Sequence, residues 1–206
     1  MIIYIWYICK YKFMHIIGMV GELDVLSRME TLPQLLVFGD SIMFSLNELK
    51  EIWYPFQKRY NAVNLAVKGE RVHSLLHRVR FSDWDLLYEG KEGLKMDNRV
   101  PLVVIIMIGT NDIGKGESFL TVAASIDIIV KECILKIPRI SHIFVFSVLP
   151  RALESYNTSI NDLNRKISEL YAHSKLLNGS ITFVDLTPLF RAKDFSIKKN
   201  MYLADR

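Results

Sequence analysis

The stretch "QLLVFGDSIMFSLNELKEIW", residues 34–53, changes character in its middle. Leu35 to Phe38 is a short apolar run of the kind that fills a parallel strand buried on both faces, whereas Ile42, Leu46 and Leu49 recur at the three-to-four spacing of one helix face. Between them lies Gly39-Asp40-Ser41. An open α/β sheet binds its ligands at the carboxyl ends of its strands, where the following helix directs the positive end of its macrodipole. A serine at that junction is a candidate nucleophile. Asp40 and Ser41 are also good N-cap residues, so this stretch alone leaves capping and catalysis both open.

Working outward, the chain repeats the alternation. "AVNLAV" (62–67), "PLVVIIMIGTND" (101–112), "HIFVFSVLP" (142–150) and "ITFVDLTP" (181–188) are dense in β-branched or aromatic residues and predict four more strands. Helical periodicity predicts helices over 71–80 (Val72, Leu75, Leu76, Val79), 118–136 (Ile126, Ile129, Val130, Ile134) and 157–177 (Ile160, Leu163, Ile167, Leu170). Nearly all-apolar strands separated by helices imply a parallel sheet covered on both faces, with right-handed crossovers. The expected fold is an α/β three-layer αβα sandwich with about five strands. In such a fold the loops after the first three strands share one edge of the sheet.

Composition bounds the class. At 206 residues and 50% hydrophobic, the chain is sized for one domain with a sizeable core. The net charge of +4 comes from 26 basic residues scattered among 22 acidic ones, with no run that would track a phosphate backbone, so a nucleic-acid partner is not expected. Cys9 and Cys133 are far apart and carry neither metal-ligand spacing nor a disulfide framework.

Residues 1–30 read as a separate apolar segment ahead of a domain over 31–206. "MIIYIWYICKYKFMHIIGMV" has no basic n-region, is interrupted by Lys10 and Lys12, and shows no small-residue cleavage site, so a secretory signal over 1–21 is the lesser reading and a cytoplasmic location is favoured. A membrane span needs about 20 uninterrupted apolar residues, so no stable span is expected.

Three loops then hold the chemistry. Loop one carries Gly39-Asp40-Ser41, loop two Lys68-Gly69-Glu70, and loop three Gly109-Thr110-Asn111-Asp112. They offer a hydroxyl nucleophile, a glycine whose N–H can approach a ligand closely, and a side-chain amide donor. The Ser41 and Gly69 backbone N–H groups and the Asn111 amide would converge on the oxygen that turns negative in an acyl-transfer intermediate. Met singly, Gly69 is better explained as a turn residue and Asn111 as a loop amide. Their order after three successive strands favours the site.

"FGDSI", "NLAVKGE" and "IGTND" resemble the first three sequence blocks of the SGNH, or GDSL-type, hydrolases, a likeness that covers residues 34 to 206. Through "EIWYPF" (51–56) and "SVLPR" (147–151) the chain resembles most the branch that includes the small catalytic subunits of platelet-activating-factor acetylhydrolase. The resemblance implies a flavodoxin-like sandwich and an ester hydrolase working through an acyl-enzyme on a small-molecule or lipid ester, with no metal or organic cofactor. It implies Ser41 as nucleophile and Ser41, Gly69 and Asn111 as oxyanion donors, with Asp40 and Asp112 supporting the loops. Nothing in the sequence specifies an oligomer.

Two positions depart from the family pattern. Ala66 stands where the second block usually has an earlier glycine, which leaves Gly69 as the donor. The last block, Asp-x-x-His, reaches Asp205 in "NMYLADR" and stops at Arg206, two positions short of the histidine. A serine without an adjacent base is a weak nucleophile. The expectation is a C-terminally incomplete chain, with a catalytically impaired binding module as the alternative.

Other histidines do not fill the role on sequence grounds. His73 and His77 in "RVHSLLHRV" have i, i+4 spacing that suits a metal, but no glutamate or third ligand accompanies them, and a solvated helix face is the plainer reading. His142 opens a strand, His173 lies in the last long helix, and His15 sits in the N-terminal segment. A remote alternative is a nucleotide hydrolase: "GTNDIGKG" (109–116) has G-x-x-x-x-G-K spacing, and "ITFVD" ends an apolar strand on Asp185. Gly116 stands where that motif needs a hydroxyl for Mg²⁺.

Overall fold

A computed structural model of the chain describes residues 32–84, 101–151, 153–172, 174, 176 and 180–190. Five strands form one parallel sheet: β1 (Leu35–Gly39), β2 (Val63–Asn64), β3 (Leu102–Met107), β4 (Ile140–Phe146) and β5 (Ile181–Val184). Their order across the sheet is β2-β1-β3-β4-β5, the flavodoxin-type order. The chain leaves β1 for β2 on one side and later returns to β3 on the other. The crevice between the β1 and β3 ends, where the order reverses, is where such sheets place ligands.

The helices are α1 (Ser41–Phe44), α2 (Lys50–Tyr60), α3 (Val72–Phe81), α4 (Thr110–Gly114), α5 (Phe119–Lys136), α6 (Asn157–Tyr171) and α7 (Thr187–Phe190). Period-two alternation sends successive strand residues to opposite layers. Leu36, Phe38, Val104 and Ile106 pack under α3, α5 and α6, against Leu75, Val79, Ile126, Val130, Leu163 and Ile167. Leu35, Val37, Val103 and Ile105 face the other way, against Met43, Leu46, Trp53 and Phe56 of the β1-to-β2 connection and Phe190 of α7. This is the expected αβα sandwich.

Several predicted extents need correction. The helix expected from Ile42 through Leu49 breaks into α1, a 3₁₀ turn over Ser45–Glu48, and α2. Ser45 Oγ donates to the Ser41 carbonyl at 2.9 Å beside the Ser45 N–H, and the helix is interrupted at Leu49, whose backbone leaves the helical region at φ −98°, ψ 65°. Leu46 is nonetheless fully buried, and Ile42 and Leu49 pack beside it.

The strand expected over 62–67 is a ladder of two residues, yet Leu65 N and Val67 N still donate to the Val37 and Gly39 carbonyls, so the segment follows β1 to its end. The strands expected over 101–112, 142–150 and 181–188 stop at Met107, Phe146 and Val184, because their last residues form the loops and short helices at the sheet edge. The helix expected over 157–177 is regular to Tyr171.

Among the described residues no helix is long and apolar enough to cross a membrane. The segment 1–30 lies outside the described residues.

Candidate active site

At the end of β1 the chain turns too tightly for any side chain at position 39. A Cβ on Gly39 would lie 2.5 Å from the Met107 carbonyl oxygen and 2.6 Å from Met43 Cγ. Asp40 follows in extended backbone and caps α1, its Oδ1 accepting from Ile42 N at 2.9 Å. Ser41 is then the first helical residue and is half-buried. Its carbonyl serves Ser45, while its Oγ meets no hydrogen-bond partner among the described residues.

Loop two is fastened to loop one. Val67 N donates to the Gly39 carbonyl at 2.9 Å, and Glu70 N closes a turn onto the Val67 carbonyl at 3.2 Å. Gly69 occupies the third position of that turn at φ 72°, a conformation that glycine adopts without steric cost. Nothing lies within 4 Å of the place where a Cβ would stand, so the space beside it is open. Ala66 N–H is already committed to Asn64 Oδ1 at 3.0 Å, and Asn64 Nδ2 donates to the Met43 carbonyl at 2.9 Å. Asn64 therefore braces α1 against loop two. Its one signal in sequence was an amide inside an otherwise apolar strand.

Loop three is fastened to loop two. Asn111 Nδ2 donates to the Glu70 carbonyl at 2.9 Å, which uses one of the two amide hydrogens and fixes the side chain's orientation. Asp112 is buried and accepts from Val72 N and from Arg71 Nε, both at 3.1 Å, so it caps α3 from a distant loop. The Glu70 carboxylate is held by a two-pronged contact with Arg78, 2.7 Å on each side. Through these bonds the segments bearing Ser41, Gly69 and Asn111 adjoin at the carboxyl edge of β1, β2 and β3. Asp205 lies outside the described residues.

Burial is the main electrostatic fact. Asp40 is 1% exposed, and desolvation pushes its carboxyl up to about 6; the Ile42 N–H opposes this, the charges of Asp112 and Glu70 add to it, and the Arg151 guanidinium opposes it. Arg151 comes from the loop after β4, which sequence reasoning had used only as a family marker. Two α6 amides shape that loop: Asn164 exchanges hydrogen bonds with both backbone groups of Val148, and Asn157 does the same with Arg151.

None of the described histidines meets Ser41. His73 and His77 are exposed on α3, next to Ser74 and Phe81 respectively. His142 sits near the amino end of β4, bonded to Thr182 Oγ1 at 2.9 Å, four residues short of the strand's carboxyl end and so roughly 13 Å from it. Burial holds its pKa below the usual histidine value. His15 and His173 lie outside the described residues. Among the described residues no three His, Cys, Asp or Glu side chains gather as a metal set.

The phosphate-loop alternative is overturned by backbone geometry. Residues 110–114 form α4, and the N–H groups of Ile113, Lys115, Gly116 and Glu117 are taken by carbonyls of Gly109, Asn111, Ile113 and Asp112. A phosphate cradle needs those N–H groups pointing at the ligand.

A five-stranded parallel sheet of this order with helices on both faces is a three-layer α/β fold of the SGNH hydrolase type. The sequence profile of the GDSL-like Lipase/Acylhydrolase family matches residues 37–203, and the chain belongs to that family. Hydrolysis of small-molecule esters is accordingly its class of activity. Among solved structures, it is similar to a GDSL-like lipase from Bacteroides thetaiotaomicron (18% identity, 83% of this chain and 76% of that one, TM-score 0.59). It is also similar to the SGNH-hydrolase family esterase AlinE4 (16% identity, 85% of each chain, TM-score 0.52). A third similar structure is a lipolytic G-D-S-L family member from Veillonella parvula (13% identity, 75% and 78%, TM-score 0.50). At these identities the likeness concerns the fold. No curated protein matches the chain by sequence.

Proposed function

We propose that the chain hydrolyses esters through a serine nucleophile. Ser41 Oγ attacks the ester carbonyl, the alcohol leaves with a proton, and water releases the acid from the acyl-enzyme. The Ser41 and Gly69 N–H groups and the second Asn111 amide hydrogen stabilise the tetrahedral oxyanion. Asp40 and Asp112 hold loops and take no part in bond making. Water is the only co-reactant these steps need.

The observation that carries this reading is the pair of bonds Val67 N to Gly39 O and Asn111 Nδ2 to Glu70 O, which lock the three donor-bearing loops to one another. Asp205 is assigned, by its place in the family's last block, to orienting a histidine. A fluorophosphonate ester probe tests the nucleophile: mass spectrometry should find the adduct on Ser41, and Ser41→Ala should abolish it. An adduct elsewhere, or equal labelling of the variant, overturns the assignment.

A second reading is a module that binds esters and turns them over poorly because no histidine serves Ser41. Without the base only the residual acceleration from binding and oxyanion stabilisation remains, roughly 10³–10⁴ over water. Turnover of a short-chain ester separates the two, since a rate several orders of magnitude higher requires a base.

A further inference from the structure

We propose that Arg78 is a positioning residue for the oxyanion site: through Glu70 it sets where loop two presents the Gly69 N–H and how the Asn111 amide is aimed. The proposal rests on the reading of Ser41 as nucleophile with Gly69 and Asn111 as its oxyanion donors.

Gly69 has no side chain to hold it, and nothing lies within 4 Å of where its Cβ would stand. The Lys68 side chain before it, paired with Glu48 and lying over the Phe44 ring, is 61% exposed. The place of Gly69 is therefore set chiefly by Glu70, which is bonded through its N–H, its carbonyl and its carboxylate at once. The N–H closes the turn onto the Val67 carbonyl at 3.2 Å, and the carbonyl accepts from Asn111 Nδ2 at 2.9 Å. These two bonds stay within the site loops. The third runs to α3, where Arg78 Nε and Nη2 donate to the two carboxylate oxygens at 2.7 Å each.

Arg78 stands on a fixed element. Leu75 and Val79 of the same helix are fully buried in the core between α3 and the sheet, and Asp112 holds the first turn of α3 through Val72 N. Arg78 Nη2 also donates to the Leu65 carbonyl at 2.9 Å. One guanidinium thus grips loop two at both ends, at Leu65 where the chain leaves β2 and at Glu70 where it approaches α3. A planar guanidinium meets both oxygens of a carboxylate in fixed geometry, which the point charge of an ammonium does not. The Glu70 side chain is 2% exposed. A buried ion pair is often no more stabilising than apolar side chains of similar volume, so what this pair supplies is placement.

The test is the rate at which Ser41 Oγ displaces fluoride from a fluorophosphonate ester, whose phosphoryl oxygen gains charge in the same hole, measured in the full chain against probe concentration. Arg78→Lys keeps the charge and loses the fork; Glu70→Gln keeps the backbone bonds and loses the charge. Each should lower the limiting labelling rate about tenfold with the half-saturating probe concentration unchanged, short of the roughly 10²-fold cost of a misplacement of about 1 Å. In an Asn111→Ala background the same substitutions should cost only about threefold, because part of their effect travels through that amide. Either variant alone decides the matter if the other does not fold. The Asn111 side-chain amide NMR signals, assigned by their loss in Asn111→Ala, should shift in both variants. An unchanged limiting rate, an equal loss with and without Asn111, or unshifted amide signals overturns the positioning role. A natural chain that never labels at Ser41, with those signals shifted in the variants, overturns the nucleophile reading and leaves Arg78's hold on the loop standing.

Discussion

Asn111 reaches across from the third loop to donate, at 2.9 Å, to the backbone carbonyl of Glu70, the residue after Gly69. One amide hydrogen holds two loops together, and in the proposed mechanism the other serves the developing oxyanion. Asn111→Ala removes both. In a chain that turns over ester, kcat should fall about 10²–10³ with little change in KM, because the donor matters most where charge develops. Steady-state kinetics check this, and an unchanged kcat removes Asn111 from the site.

Two glycines separate steric from conformational demands. Gly39→Ala would place a methyl against the backbone of β3 and the Met43 side chain, so it should cost about 1–3 kcal/mol as overpacking. Gly69→Ala meets open space, and its cost is the positive φ alone, about 1–2 kcal/mol. Thermal denaturation should therefore rank Gly39→Ala as the more damaging. The reverse order would show that the turn at Gly69 is more constrained than its surroundings.

Asp112 joins loop three to the start of α3 through Val72 N and Arg71 Nε. Asp112→Ala leaves a buried N–H without an acceptor and removes one of the two carboxylates on Arg71. The expected loss is about 2–3 kcal/mol, below that of a fully buried ion pair because Arg71 keeps Glu117 and some solvent. Urea unfolding measures it, and a loss under about 0.5 kcal/mol would be that of an ordinary surface substitution.

The fold was legible because each strand is an apolar run and each long helix carries one apolar stripe. Leu35–Phe38 and Ile126, Ile129, Val130 needed no tertiary information to be read. What the sequence hid depends on contacts between distant loops. The non-helical backbone at Leu49 interrupts a helix that the Ile42, Leu46, Leu49 spacing predicted. Asn64 and Arg151 looked like strand and loop residues, and only the tertiary fold brings them to the Met43 and Thr110 carbonyls. The nucleotide-binding spacing at 109–116 was a string match that the α4 hydrogen bonds exclude.

The last prediction concerns the stability cost of the Asp40 charge. In the folded chain this carboxyl ionises near 6 instead of at its ordinary value of 3.8. Between those values the folded state binds more protons than the unfolded state, so stability falls as pH rises through this window. The contribution is fully present below about pH 4 and lost above about 6, and two pKa units correspond to roughly 3 kcal/mol. Asn at this position keeps an oxygen to accept from Ile42 N and never ionises. Asp40→Asn should therefore gain roughly 2–3 kcal/mol relative to the natural chain between pH 4 and pH 8. Denaturant unfolding at the two pH values measures the difference, and parallel pH dependence in both proteins would mean that the carboxyl is not desolvated as its burial implies. The same variant should label more slowly at Ser41 at neutral pH, since a neutral amide holds the cap less firmly than a carboxylate. A residue kept charged at a cost in stability is the pattern expected where a turn is shaped for chemistry.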